Sequence, residues 1–267
     1  MLNVNYNILK RVDEKLIDQK NSHLKLLISE NFVVIVVFSS DKIVKFFEIE
    51  IVKPNLQPLQ IHLDYIIENL LVHKIYQNSE VIFLNEYFVI LPNVLYIKEE
   101  NENILKFTTQ LQPNYVIKED ILHDFTIVYG INLEVKNYLE KTIKNIKFKS
   151  SAYSLINAFV NKTEFSKTDL LINFMSSQME VVLKIENKLQ LYNVFNFSDD
   201  EDALYYILFI IEQYNLNVMT CKLCVCGQID KRESILSKLK KYIKYVDIAN
   251  FSSTNFQHKQ YYYSLLN

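Results

Sequence analysis

The sequence is poor in glycine, with only Gly130 and Gly227 among 267 residues, where an average chain holds about 7%. Glycine lets backbone N–H groups approach a phosphate closely, because it has no Cβ atom and accepts positive φ angles. Two isolated glycines cannot form a Walker loop, a G-x-G-x-x-G motif or a nucleophile elbow. The sequence therefore excludes the nucleotide-dependent enzymes that these motifs identify.

Long apolar runs and a basic face are also missing. The longest apolar runs, residues 32–38 and 203–211, are too short to span a bilayer, and the N-terminus MLNVNYNILKR lacks the apolar core of a signal peptide. The net charge is −2, with both signs interspersed, which argues against a nucleic-acid partner. We expect a cytoplasmic protein without a membrane span.

The three cysteines, Cys221, Cys224 and Cys226, lie within six residues of one another. A zinc site needs four ligands, usually with a second pair elsewhere in the chain, and no histidine is close in sequence. On a strand, Cys224 and Cys226 share one face and Cys221 takes the other. We interpret them as buried core cysteines of a reducing compartment; a metal or redox motif is the alternative.

Hydrophobic periodicity predicts two similar series of elements. In the first, three strands with short turns precede a helix and a strand: 24–29, 32–39, 43–52, 60–76 and 80–84. In the second, three strands precede a helix, a strand, a helix and a strand: 170–175, 180–186, 189–197, 200–214, 222–226, 233–242 and 245–249. The openings 26–29 (LLIS) and 170–173 (LLIN) read alike, so we predict two copies of one globular unit.

Further elements are predicted outside these series. They are helices at 13–19, 101–111, 133–143, 151–160 and 256–266, extended segments at 87–91 and 94–98, and strands at 115–117 and 125–131. In the helix that begins at Asp200, one apolar face is Leu204, Ile207, Leu208, Ile211 and Tyr214, and aromatic residues occupy much of the remainder. A helix this apolar is expected to be buried on most of its circumference.

The stretch LQLYNVFNFSDDEDALYYILFIIEQYNL (189–216), followed by CVCGQI (224–229), resembles an uncharacterised bacterial domain-of-unknown-function family. That family has a duplicated actin-like ATPase fold, and its halves are ribonuclease H-like. The resemblance implies an α/β chain with mixed sheets and two halves, residues 1–149 and 150–267. A small insertion would lie around 87–124, and the last helix would pack back on the first half.

The wider actin-like group binds ATP with Mg²⁺ between its halves, through glycine-containing turns that usually carry an Asp. The matching turns here, Ser29-Glu30-Asn31 and Ser176-Ser177-Gln178, have neither Gly nor Asp, and a single Gly227 remains at the adenosine position. We expect these backbones to wrap phosphates poorly and no carboxylate to hold Mg²⁺ beside the turns. Any nucleotide cleft would use Ser29, Asn31, Ser176, Ser177 and Gly227.

The acidic run 199–202 is interpreted as the first turn of a helix, with Ser198 and Glu201 as a capping box. A ribonuclease H magnesium site is opposed by the absence of acids on the first strands, 24–29 and 170–175. The five histidines are scattered and are interpreted as surface or satisfied core residues. The lysine run 238–244 is interpreted as a solvated helix face, and Tyr261–Tyr263 as a contact to the first half or to a partner.

These observations favour a non-catalytic cytoplasmic protein that acts as a binding or scaffold module for an unidentified protein partner, with no cofactor. The alternative hypothesis is a divergent ATP-binding protein or ATPase that uses the cleft residues, since Ser and Asn side chains can donate to phosphates. The sequence leaves the partner, the oligomeric state and any catalytic residue open.

Overall fold

The computed structural model describes residues 6–13, 21–39, 42–52, 57–71, 75–161, 165–229 and 232–249. The chain divides into two compact units, Met1–Ser154 and Leu155–Asn267. The helix predicted at 256–266, the tyrosines at 261–263 and nearly all of the helix predicted at 13–19 lie outside the described residues. None of the helices in the described ranges combines the length and the apolar character that a bilayer crossing requires.

Unit 1 is built on a mixed six-stranded sheet. Its elements, in chain order, are β1 (Tyr6–Asp13), β2 (Ser22–Ile28), β3 (Phe32–Ser39), β4 (Lys42–Ile51), α1 (Leu59–Leu70), β5 (Asn78–Phe83), β6 (Phe88–Pro92), α2 (Asn101–Thr108), β7 (Tyr115–Ile121), β8 (Phe125–Asn132), α3 (Leu133–Thr142) and β9 (Ile146–Ser150). The sheet has the order β1-β4-β3-β2-β5-β9. Its first three pairings are antiparallel, and β2–β5 and β5–β9 are parallel.

A second, smaller sheet lies between β5 and α3 in the sequence. It has three antiparallel strands in the order β6-β8-β7. Leu105 of α2 is fully buried, as are Ile127, Val128 and Ile131 of β8, so this sheet has an apolar core of its own. Single-turn 3-10 helices at Asn93–Leu95 and Lys98–Glu100 connect β6 to α2.

Unit 2 contains one five-stranded mixed sheet. After α4 (Ser151–Asn161), which includes the unit boundary, its elements are β10 (Leu170–Phe174), β11 (Gln178–Ile185), β12 (Lys188–Asn196), α5 (Asp200–Gln213), β13 (Lys222–Gly227), α6 (Glu233–Tyr242) and β14 (Tyr245–Ile248). The order is β12-β11-β10-β13-β14. The pairings along it are antiparallel, antiparallel, parallel and parallel, the same series as β4-β3-β2-β5-β9 in unit 1.

Backbone hydrogen bonds show which residues of the two sheets correspond. The Ser29 N–H donates to the Phe32 carbonyl at 3.0 Å, as the Met175 N–H donates to the Gln178 carbonyl at 2.8 Å. Ser29 therefore corresponds to Met175, and the similar openings of the two series are offset by two residues from the predicted match. An offset of two keeps every side chain on its own face of the sheet, which is why the pattern still reads alike.

The core of unit 2 lies on the sheet face that α5 and α6 cover. Ile207 and Ile211 of α5 and Ile235 and Leu239 of α6 share one buried cluster with alternate residues of the strands, such as Ile172. The prediction that α5 is buried on most of its circumference is wrong. Tyr205 is 62% exposed and Phe209 43% exposed, and their rings stack at 6.0 Å on the side that faces away from the cluster.

Three elements differ from prediction in unit 1. The strand β1 was not predicted because its sequence, YNILKRVD, is half polar and lacks a two-residue alternation; in the structure it pairs with β4. The strand β9 (IKFKS) was also missed, since it is short and alternates with lysine. The extended segment predicted at 94–98 instead begins as a 3-10 turn.

The capping residue of α5 is Asp199 rather than the predicted Ser198. The Asp199 side chain accepts the N–H of Asp202 at 2.9 Å, and the Asp202 carboxylate accepts the N–H of Ser198 at 3.1 Å. This differs from a regular capping box, because the carboxylate of Asp202 accepts the N–H of Ser198, one residue before the cap, and not that of Asp199 itself. Both positions satisfy the same sequence rule, because Asp and Ser are equally good caps.

We predict that Asp199→Ala lowers the free energy of unfolding by roughly 1 kcal/mol, because α5 loses its side-chain cap. Ser198→Ala is the matched control and is expected to have little effect, since only the backbone of Ser198 takes part in the cap. Urea denaturation of both variants measures the difference. A larger loss in Ser198→Ala than in Asp199→Ala would contradict the assignment.

Candidate functional site

The β2–β3 turn in unit 1 forms backbone hydrogen bonds within the turn and to β4. The Ser29 N–H is taken by Phe32, and the Asn31 carbonyl accepts the N–H of Ile51 at 2.9 Å. Ser29 is buried and Asn31 is half-buried. Glu30 is exposed within this turn, so the expectation that no carboxylate lies beside the turn is wrong for unit 1.

The β10–β11 turn in unit 2 has the same frame. The Met175 N–H is taken by Gln178, and the Ser177 carbonyl accepts the N–H of Phe197 at 3.0 Å. Ser176 and Ser177 are half-buried, and neither has a positive φ angle. A turn of two residues offers few N–H groups, and without the left-handed conformations of a glycine loop those groups do not form a concave anion site.

Arg232, which precedes α6, holds this turn. Its Nη2 donates to the carbonyl oxygen of Ser176 at 2.6 Å and to that of Met175 at 3.3 Å. Its Nη1 donates to Asp200 Oδ1 at 3.0 Å, and its Cζ lies 4.7 Å from the ring centroid of Phe197. The turn therefore presents carbonyl oxygens to a cation, whereas a phosphate-binding turn presents N–H groups to an anion.

Asp200 is a carboxylate that sequence reasoning did not place near this turn. It lies at the start of α5, 24 residues beyond Ser176 in the sequence, and Arg232 brings the two together. The pair of Asp200 and Arg232 has side chains 18% and 14% exposed, so its charges are partly shielded from water. No short-range motif could have found it, because the three partners come from three separate elements.

Gly227 ends β13 directly beside the end of β10, in register with Phe174. In unit 2, three predicted residues therefore lie at the same end of neighbouring strands: Ser176, Ser177 and Gly227. Ser29 and Asn31 lie in unit 1. Gly227 has φ +89°, and a Cβ atom there would meet the Phe174 carbonyl oxygen at 2.0 Å. The backbone of unit 2 therefore requires this glycine whether or not a nucleotide binds.

A buried polar network lies next to Gly227. Glu180 is fully buried and accepts from Asn173 Nδ2 at 2.7 Å and from the Tyr192 hydroxyl at 2.6 Å. The Cys226 Sγ donates to Asn173 Oδ1 at 3.4 Å. Each polar side chain meets a partner of the opposite kind, which is what allows a carboxyl group to remain in a sheet interior.

All three cysteines are buried, as the sequence predicted. Burial raises the pKa of Cys221 to about 11 and that of Cys224 to about 12, and it raises the pKa of Cys226 as well. Thiols in such surroundings are poor nucleophiles because the thiolate is disfavoured. Within the described ranges, no three His, Cys, Asp or Glu side chains are arranged to hold a metal ion.

Of the five histidines, His73 and His258 lie outside the described residues, and one of the other three differs from the prediction. His123 is exposed and contacts Asp124, and His23 contacts Asn78. His62 of α1 is 2% exposed, yet neither ring nitrogen has a hydrogen-bond partner, so it is not a satisfied core histidine. Burial lowers its pKa, which keeps the ring neutral.

The acidic first turn of α5 is paired with α6. Besides the ion pair of Asp200 with Arg232, Lys238 binds Glu201. Lys240 and Lys241 are exposed at the end of α6, where positive charge suits the helix dipole. The acidic run 199–202 and the lysines of α6 were interpreted as features of helix ends and helix faces, and this interpretation is confirmed.

Comparisons with known proteins agree with this architecture. A family model described as "Protein of unknown function (DUF3822)" matches residues 12–246. A search of curated proteins found no significant match. Among solved structures, a protein of unknown function with an actin-like ATPase fold from Bacteroides thetaiotaomicron VPI-5482 has a TM-score of 0.76 at 21% identity, over 90% of this chain and 96% of that one.

Two other solved structures are similar at lower identity. The PilM–PilN type IV pilus biogenesis complex gives a TM-score of 0.59 at 10% identity, over 93% of this chain and 98% of that one. The ethanolamine utilization protein EutJ from Carboxydothermus hydrogenoformans gives 0.54 at 8% identity, over 94% and 90%. At these identities the similarity shows the fold alone, and the predicted actin-like ATPase fold is confirmed.

We predict that Gly227→Ala lowers the free energy of unfolding by about 3 kcal/mol, because a Cβ atom meets a backbone carbonyl at a positive φ angle. Gly130→Ala is the control: its Cβ atom would meet the movable end of Leu111 at 2.7 Å, and about 1 kcal/mol is expected. Urea denaturation without nucleotide tests both. Equal stability of Gly227→Ala and the unmodified chain would show that the glycine is retained for another reason.

Proposed function

The chain belongs to the family of proteins of unknown function DUF3822, and we propose that it works within that family as a non-catalytic binding or scaffold module. Its partner is another protein. One observation carries the proposal: Arg232 engages the carbonyl oxygens of the β10–β11 turn, at the position where the actin-like group holds phosphates.

The charges around the β10–β11 turn support this proposal. The two carbonyl acceptors and Asp200 bind both Nη atoms of the guanidinium, while its buried Nε has no hydrogen-bond partner. The two carbonyl oxygens of the turn therefore have a donor without a ligand. A phosphate at the turn would be repelled by these oxygens and would have to compete with Asp200 for the guanidinium. Breaking a shielded pair that is also hydrogen-bonded is costly, because it leaves polar groups without partners.

The origin of the fold belongs to the same proposal. Two sheets that share a five-strand order, one series of directions and equivalent turn-closing hydrogen bonds support an internal duplication of a ribonuclease H-like unit. That the protein is bacterial and cytoplasmic is part of the proposal and rests on the sequence alone. In that account the scaffold was kept while the ligand-binding turns diverged. In unit 1 the turn accepts a hydrogen bond from the N–H of Ile51. In unit 2 it accepts hydrogen bonds from the N–H of Phe197 and from the side chain of Arg232.

The alternative is a divergent ATP-binding protein or ATPase that uses Ser29, Asn31, Ser176, Ser177 and Gly227. The side chains of the four polar residues can donate to phosphates. The N–H groups of Ser29 and Met175 already form hydrogen bonds within the turns, which weakens this hypothesis. The argument does not apply to the side chains.

Calorimetric titration with ATP and Mg²⁺, on protein freed of co-purified nucleotide, tests the proposal. We predict no binding heat up to millimolar ATP, which corresponds to a binding free energy weaker than about −4 kcal/mol. Arg232→Ala is expected to gain no affinity, because the turn still lacks inward N–H groups.

Micromolar ATP binding by the unmodified chain would contradict the proposal. Ser177→Ala then serves to locate the site: a loss of affinity in this variant would place the nucleotide at the β10–β11 turn and would favour the alternative. Ser154→Ala, which changes a serine of α4 outside this turn, is the matched control.

A further inference from the structure

Two exposed surfaces of unit 2 lie at opposite edges of its sheet, beside β12 and β14, which are the first and last strands of the order. Each surface combines aromatic side chains with charges that are mainly of one sign. This mixture is typical of protein interfaces, where aromatic side chains supply contact area and charged groups set the orientation. Neither surface contains a residue of the β10–β11 turn.

The first surface is the outer face of α5, to which a series of aromatic rings extends from β12. Phe195 of β12 stacks on Tyr206 at 4.8 Å between ring centroids. Tyr206 lies 5.6 Å from Tyr205, which in turn stacks on Phe209. Tyr205 and Phe209 end the series at the exposed surface. Because neighbouring rings already restrict these side chains, little rotamer entropy is lost when a partner covers them.

The charges of this face are negative. The helix α5 contains no basic residue. Its first two acids, Asp200 and Glu201, bind cations of the segment 232–238, whereas Asp202 and Glu212 are exposed. Each of these last two acids lies three residues from one of the exposed rings, on the same side of the helix. Four residues therefore form a surface that we call the acidic edge: Asp202, Tyr205, Phe209 and Glu212.

The second surface lies where α6 ends and β14 begins. Tyr242 is 54% exposed and Tyr245 is 42% exposed, and the three lysines of the segment 240–244 are exposed beside them. Asp247 is an exposed acid of β14, so positive charge is in excess. The surface that we call the basic edge consists of Lys240, Lys241, Tyr242, Lys244 and Tyr245.

The two edges are complementary in their chemistry. A lysine ammonium group binds the face of an aromatic ring as well as a carboxylate. The basic edge already contains one such contact, since Lys244 Nζ lies 5.1 Å from the ring centroid of Tyr245. The acidic edge offers carboxylates and exposed rings side by side. Each lysine of the basic edge can therefore find either kind of partner there.

The geometry of the sheet prevents one copy from joining its own two edges. Four strand spacings separate β12 from β14, which corresponds to about 19 Å. A second copy can offer its basic edge to the acidic edge of the first. Contact between two like edges would place like charges opposite each other, which is unfavourable. A head-to-tail contact is therefore favoured over a two-fold contact, and the net charge of −2 adds little repulsion between copies.

We propose that unit 2 binds unit 2 of a second copy of this chain, with the acidic edge of one copy against the basic edge of the other. The proposal goes beyond the proposed function and does not rest on it. The exposed parts of the four aromatic rings supply roughly 400 Å² of apolar surface, whereas a standard interface buries about 1,600 Å² in total. The association is therefore weak, in the micromolar range, and it weakens as salt screens the charges.

Sedimentation velocity of the full chain tests the association, at concentrations from about 1 µM to about 1 mM, which bracket a micromolar dissociation constant. We expect the average mass to rise above that of one chain as the concentration increases. Raising the salt concentration from about 0.05 M to about 0.5 M is expected to increase the dissociation constant by about fivefold or more. The mass of a single chain at every concentration would overturn the proposal.

Tyr205→Ala and Tyr242→Ala each remove one exposed ring, the first from the acidic edge and the second from the basic edge. Each is expected to weaken self-association by about tenfold. Tyr65→Ala is the matched control, since it removes a tyrosine of α1 in unit 1 that is exposed to a similar degree, and no effect is expected. An effect of only one of the two edge variants would indicate a two-fold contact and would overturn the proposal.

An equimolar mixture of Tyr205→Ala and Tyr242→Ala distinguishes a head-to-tail contact from any other. The intact basic edge of the first variant meets the intact acidic edge of the second. We therefore expect pairs with the affinity of the unmodified chain and no larger assembly, because the other edge of each member is altered. Circular dichroism confirms that both variants are folded before they are mixed. A mixture that associates no better than either variant alone would overturn the proposal.

Discussion

The contact between Arg232 and the β10–β11 turn is the interaction around which unit 2 is organised. One guanidinium joins the end of β10, the start of α5 and the start of α6, through Ser176, Asp200 and its own position in the chain. It also lies over the ring of Phe197, which closes the core at the end of β12. Arginine suits this place because its planar group donates in several directions at once.

This contact has the polarity opposite to that of an anion-binding turn. A helix terminus or glycine loop collects N–H groups around an anion, whereas here two carbonyl oxygens and a carboxylate collect around a cation. The strand order does not depend on that choice, because it is set by buried apolar strands such as β3 and β10. The strand order therefore does not by itself determine what the turn binds.

The sequence was sufficient for most strands of the two main sheets, because these strands are apolar and their turns are short. It was insufficient where a segment is held in place by a partner that is distant in the sequence. β1 lacks a clear apolar alternation and pairs with β4, and Asp200 reaches the β10–β11 turn only through Arg232. The exposure of Tyr205 was missed because periodicity reports apolar character, not what covers it.

The sequence likewise predicted only part of the candidate site. Ser176, Ser177 and Gly227 lie at the same end of neighbouring strands, since β10 and β13 pair in parallel. What the turn binds could not be read from its own residues, because the carbonyl groups of any sequence can point toward a cation.

Hydrogen–deuterium exchange of the segment 170–180 tests the central claim most directly. If Arg232 has taken the place of a ligand, exchange in the β10–β11 turn is unchanged by millimolar ATP with Mg²⁺ and becomes faster in Arg232→Ala, because the turn loses its anchor. Slower exchange in the unmodified chain on addition of ATP, together with no change in Arg232→Ala, would contradict the account and would identify the turn as a nucleotide site.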